Sequence, residues 1–294
     1  MGSGTWTKRS FTNYSAAKGM CVDAAGSIIG DYHVQEMFKQ RWIAPELNIK
    51  NVIRECCDSE EHPNTIPVIL GIDVTGSMGS AAMKVAKELN PIMETLFNKV
   101  ADVEFLIMGI GDLAYDEAPI QASQFESDIR IAEQLDKIYF EAGGGGNSYE
   151  SYTAAWYFGL NHCRLDCWKR GKKGIIITMG DEPLNPYLPI RGMCCGLADV
   201  TGDNLQADVN TKDLYEDVIK KYDVYHLAVD DMATSYRLYA ERIEKSFGEY
   251  LDKEHLRVVN LNTIANTIVD IVCNSDKDVS SNARLNNENG MISW

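Results

Sequence analysis

Continuous apolar runs separated by helical patterns constrain this chain more than any other feature. The runs are IPVILGID from Ile66, VEFLIMGIG from Val103, GIIITMG from Gly174, YDVYHLAV from Tyr222 and LRVVNL from Leu256. A strand that is apolar at nearly every position has both faces covered, whereas a strand with one wet face alternates. Between the first two runs, Leu89, Ile92, Met93, Leu96, Phe97 and Val100 recur at helical spacing, with Pro91 as the place for a kink. Further helices read over DIRIAEQLDKIYF, SYTAAWYFGLNHCRLDCW, TSYRLYAERIEKSFGEYL and NTIANTIVDIVC, and PIQASQF reads as a short edge strand. Buried strands alternating with amphipathic helices predict an α/β fold: an open, mostly parallel, doubly wound sheet of Rossmann-like form, with helices on both faces. Such sheets bind ligands at the carboxyl ends of their strands.

The pattern begins only at Ile66. Residues 1–65 show little periodicity and end in the polar breaker DSEEHPNT, so they are expected as an N-terminal extension lying over the domain, with a short strand at NVIREC. Residues 66–273 are the expected domain, and the Asn-rich residues 274–294 a frayed tail. A formal net charge of -15 argues against nucleic acid or an anionic membrane as the main partner. No apolar run is long enough to span a membrane, and MGSGTWTKRSF has neither the apolar core of a secretory signal nor a myristoylation pattern, because Trp6 replaces Ser or Thr. The expectation is a cytoplasmic protein. Its cysteines lack the paired spacing of a zinc site, and Cys163 and Cys167, four apart on an expected helix, are read as core.

Three loops expected at the carboxyl edge carry unusual chemistry. They are DVTGS after the first strand, GGGGNSYE before a helix, and MGDEP after the third long strand. Together they supply the carboxylates Asp73 and Asp181, the hydroxyls Thr75 and Ser77, and Asn147, Ser148 and Glu150. An all-oxygen donor set selects a hard cation, Mg²⁺ or else Mn²⁺ or Ca²⁺, over zinc. Neutral hydroxyl ligands leave the cation much of its charge, which suits it to dock an outside carboxylate.

DVTGS resembles the D-x-S/T-x-S signature of the von Willebrand factor A (vWA) domain, which nucleates a metal-ion-dependent adhesion site built from three loops. GGGGNSYES and ITMGDEP fall where the second and third loops belong, and the resemblance covers 66–273. In detail the chain looks like stand-alone vWA proteins of bacteria and their phages. The resemblance implies metal ligands Asp73, Thr75, Ser77, Glu150 and Asp181, and a protein partner bound through an acidic side chain. NSYE is similar to the D-x-P-E of integrin β chains, with Asn147 for the aspartate and Glu150 for the glutamate; other members use a hydroxyl there, so Ser148 and Asn147 stay open. The third loop departs from the pattern, because Gly180 precedes Asp181 where the carboxylate usually follows the strand directly.

Each feature has a blander reading. Ser77 suits a helix N-cap, four glycines suit a turn, and Asp181 with Glu182 suits a solvated pair. Asp112, after the second strand, is read as surface charge, and Tyr149 as the side chain that anchors the second loop. Phosphate-handling enzymes fit less well: Thr75 stands where an actin-like loop needs glycine and a dehalogenase-type phosphohydrolase needs aspartate, and GGGGNSYE lacks the lysine of a P-loop. The expectation is a metal-dependent binding module and not an enzyme. A metal-dependent phosphohydrolase and a vWA scaffold with an unused metal site are the alternatives. The long segment from Glu182 to Lys221 is expected to rise over the metal face.

Overall fold

The computed structural model describes residues 4–141, 146–230 and 236–275. Helix α1 spans Lys8–Ala17, strand β1 Ile66–Asp73, helices α2 and α3 Gly79–Lys87 and Leu89–Lys99, β2 Val103–Ile110 and β3 Ile120–Ala122. Helices α4 (Arg130–Leu135) and α5 (Ala154–His162) precede β4 (Gly174–Gly180), and α6 (Thr211–Val218) precedes β5 (Tyr222–Val229). Helix α7 (Tyr236–Phe247), β6 (Leu256–Val259) and a last helix over 264–275 complete the chain. Glycines 143–145 and the tail beyond 275 lie outside the described residues.

The strands form one six-stranded sheet in the order β6-β5-β4-β1-β2-β3. Every neighbouring pair is parallel except β2 with β3, where Met108 to Ile110 face Ala122 to Ile120 antiparallel. The chain leaves β1 to one side for β2 and later returns to its other side for β4, so β1 and β4 flank the topological switch point. Ile72 is level with Met179, and Asp73 with Ile110, so the tips of β1, β2 and β4 end at one edge.

Alternate side chains of each strand enter two separate cores. Val68, Leu70 and Ile72 of β1 and Ile175, Ile177 and Met179 of β4 pack with α2, α3 and the last helix. Ile69, Leu106, Met108 and Ile176 pack with Trp156 of α5, Leu214 of α6 and Phe247 of α7. Both faces are thus covered, as the apolar runs require. The first part of the extension packs along the first face: Trp6, Phe11, Met37 and Phe38 belong to that core, and the Trp6 indole N–H donates to Asn90 Oδ1 at 3.0 Å, whereas Ile49 and Cys56 belong to the second core.

Two helices depart from their sequence patterns. The break expected at Pro91 falls at Glu88, leaving the proline in the first turn of α3, where its missing N–H costs no internal bond. Helix α5 stops at His162, and Cys163–Leu165 pairs parallel with Arg54–Cys56 as a small second ribbon. Cys163 and Cys167 do not share a helix, yet both are buried and burial pushes both thiols up.

Candidate functional site at the switch point

Strand β1 delivers Asp73 to its tip with no exposed surface. The carboxylate is held by its own loop: Oδ1 accepts from the Thr75 amide at 2.9 Å and from the Thr75 hydroxyl at 2.6 Å. Thr75 Oγ1 lies 3.4 Å from Ser77 Oγ, and the Ser77 hydroxyl donates to Asp181 Oδ1 at 3.1 Å. Hydroxyls thus link the loops after β1 and β4. Neither Thr75 nor Met78, at the N-cap positions of the 3₁₀ turn Gly76–Met78 and of α2, makes a side-chain cap bond. Ser77 spends its hydroxyl across the switch point, not on capping.

Tyr152 lies beneath this chain of bonds. Its hydroxyl donates to Asp73 Oδ2 at 2.7 Å and accepts the Glu182 amide at 3.2 Å, tying all three loops together. The ring is fully buried, edge-on to His226 with centroids 4.9 Å apart. His226 stacks on Phe247 at 3.8 Å, its Nδ1 lies 2.9 Å from Thr178 Oγ1, and burial lowers its pKa to about 3, so the ring is neutral. The sequence reading missed Tyr152 and assigned its anchoring role to Tyr149, which is half-exposed and whose amide only donates to Asn147 Oδ1. One signal was available in Gly180. A Cβ there would run into the Tyr152 hydroxyl, so the strand must end on glycine and the carboxylate moves one place on, to Asp181.

Glu150 enters from the second loop and is buried, bridged to Leu184, whereas Asn147 and Ser148 are exposed. Its Oε2 has no hydrogen-bond partner among the described residues. Burial pushes its pKa far above the carboxylate range, and the neighbouring charges of Asp73, Asp116, Asp112 and Glu182 push the same way. Asp73 is raised to about 7, by burial first and then by Asp181; three hydrogen-bond donors oppose the rise. Asp181 and Glu182 are raised as well, each mainly by burial. Asp112 is not the surface charge the sequence suggested: it is buried, its Oδ1 accepts from the Ala114 amide at 2.8 Å, and its Oδ2 is unpartnered among the described residues.

The segment from Glu182 to Lys221 opens with Tyr187–Leu188 paired to Val209–Asn210 and ends in α6. Between these it rests on the loop after β2: the Met193 amide donates to Ala114 O at 2.7 Å, and the Cys195 thiol reaches Asp116 O at 3.5 Å. Tyr187 and Met193 stay exposed.

The five residues Asp73, Thr75, Ser77, Glu150 and Asp181 thus sit at one sheet edge, the first, second, third and fifth in one hydrogen-bonded chain. Among the described residues, no three His, Cys, Asp or Glu side chains converge as a ready-made cage. The donor set is instead carboxylate plus hydroxyl. It is all oxygen and crowded with negative charge, and it contains a buried oxygen without a donor; those properties fit a hard divalent cation.

No protein-family model matches the sequence, and no curated protein does. Solved structures with similar folds include the pilus adhesin SpaC of Lactobacillus rhamnosus GG in its open conformation, at TM-score 0.49 and 12% identity over 79% of this chain. This chain spans only 31% of that adhesin's length. The vWF domain of the type V pili tip protein Mfa5 from Porphyromonas gingivalis overlaps at TM-score 0.43 and 11% identity, over 72% of this chain and 95% of that domain. Proximal thread matrix protein 1 from the mussel byssus overlaps at the same TM-score of 0.43 and 11% identity, over 72% of this chain and 48% of its own.

Proposed function

We propose that the protein is a divalent-cation-dependent protein-binding module whose switch-point site docks a carboxylate of its partner. The observation that carries this reading is the convergence of the buried Asp73 at the β1 tip and the half-buried Asp181 after β4, joined through the hydroxyls of Thr75 and Ser77, with the buried Glu150 Oε2 left without a partner among the described residues. Asp73, Thr75, Ser77, Glu150 and Asp181 would hold the cation, Mg²⁺ before Mn²⁺ or Ca²⁺. When bound, the cation supplies positive charge that neutralises the cluster and accepts an outside carboxylate as a ligand.

The chain's own residues set the stage. Tyr152 orients Asp73 by occupying Oδ2, and Thr75 fixes Oδ1, so the aspartate is held rigid through both oxygens. Ser77 keeps Asp181 turned toward the first loop. The nearest buried imidazole, His226, is neutral and packed under Tyr152, and its position offers no nucleophile or base to an outside ligand.

Calorimetric titration with Mg²⁺ tests the reading. Wild type should bind and Asp73→Ala should not; absence of heat in both would leave only a scaffold. Turnover of generic phosphoesters that depends on Mg²⁺ and is lost in Asp73→Ala would replace binding with hydrolysis.

A further inference from the structure

A groove of about 970 Å³ opens beside the switch point, starting at Ser77 and Asp181 and running between the end of α7 and the tips of β5 and β6. Its floor is apolar: Ile243 and Leu251 are buried in the second core, and Leu256 and Val258, two residues apart on β6, continue the surface to the sheet edge. Its walls are acidic. Asp181, Glu182, Asp230, Glu244, Glu249 and Asp252 line it, against Lys245 and Lys253. Among the described residues, six carboxylates facing two ammonium groups leave a net negative trough on a chain already at -15.

Strand β6 is the terminal strand of the sheet, and among the described residues nothing pairs with its outer edge. Val258 on that strand is 63% exposed. An uncovered edge presents main-chain donors and acceptors to an incoming strand. An extended segment alternates its side chains, so apolar ones can meet the floor while longer cationic ones reach the walls.

We propose that this groove binds an extended peptide segment of a partner protein, with lysine or arginine side chains set between apolar ones, laid along the outer edge of β6. The argument is charge complementarity over an apolar floor at an open strand edge, and it needs no cation at the switch point. Steering by opposite charge also sets which segments are refused, because an acidic segment meets six like charges.

The test uses the full chain in EDTA at physiological ionic strength, with fluorescein-labelled peptides of alternating leucine and lysine, serine and lysine, or leucine and glutamate. The leucine-lysine peptide should bind at least about tenfold more tightly than the serine-lysine peptide, and the leucine-glutamate peptide should not bind. Glu244→Lys with Glu249→Lys should weaken binding by about tenfold, while Glu60→Lys with Glu61→Lys, an equal change of net charge elsewhere, should leave it within about twofold. Hydrogen exchange on the complex should slow at 256–259. Equal losses in the two double variants, equal binding of the serine-lysine peptide, or slowing confined to other segments would each overturn the proposal. Because the assay contains no free divalent cation, its failure leaves the Mg²⁺ titration of the switch-point site standing, and the reverse holds too.

Discussion

Glu150 and Asp73 are two buried carboxylates acting on each other, and such a pair cannot both ionise cheaply without a positive partner. Asp73 receives three donors and Glu150 Oε2 none among the described residues, which favours the proton on Glu150 in the cation-free protein. Glu150→Gln keeps that neutral shape. It should leave cation-free stability within about 1 kcal/mol of wild type, yet weaken Mg²⁺ binding by about tenfold or more, while the exposed Asn147→Ala should change it little. Calorimetry on the two variants decides; a Ser148→Ala protein that loses Mg²⁺ while Glu150→Gln keeps it would assign the second loop to the hydroxyl pattern. At this scale the sequence disclosed the polar donors but not their support. Asp73, Thr75 and Ser77 are spaced so that a strand end must present them together, and such spacing is visible. Tyr152 was not visible, because an aromatic just ahead of an apolar helix usually means core packing, and only the distant Gly180 shows what its hydroxyl does.

Among elements, β4 bears the tightest constraint, since its last residue has to leave room for the Tyr152 hydroxyl. Gly180→Ala should therefore destabilise the protein by about 1–3 kcal/mol, the usual range for overpacking, and should lower Mg²⁺ affinity by moving Tyr152 off Asp73. Urea unfolding and calorimetry read the two effects; a variant as stable as wild type would remove Tyr152 from the centre of the site. The long strands were legible because burial on both faces leaves few polar positions to confuse the pattern. The helix boundaries were less so. Helix α5 is buried nearly all round, with Trp156, Tyr157 and Phe158 all covered, so its apolar run gave no sign of where helix ends and the Cys163–Leu165 strand begins. Helix α1 is polar, burying only Phe11 and Ser15, and without a periodic face it read as an irregular extension.

For the whole molecule, the balance of buried acids predicts a pH dependence. Asp73 and Glu104 are raised to about 7 and Asp116 to about 6, all mainly by burial. Each folded pKa lies above the unfolded value, so the folded chain holds these protons more tightly. Their contribution is fully present below about pH 4 and is lost as pH rises through about 7. Urea midpoints of the cation-free protein should fall over that window. Saturating Mg²⁺ should reduce the fall without abolishing it, because Glu104 sits near the start of β2, at the opposite end of the strand from the site; a flat profile in the cation-free protein would contradict the burial account. The most direct test of the central claim is the melting temperature at pH 8 with and without Mg²⁺, in wild type and in Asp73→Ala. At a hundredfold excess over Kd, wild type should gain about 5–10 °C and Asp73→Ala almost nothing. Equal shifts in the two proteins, or none in wild type, would contradict a cation held at the switch point.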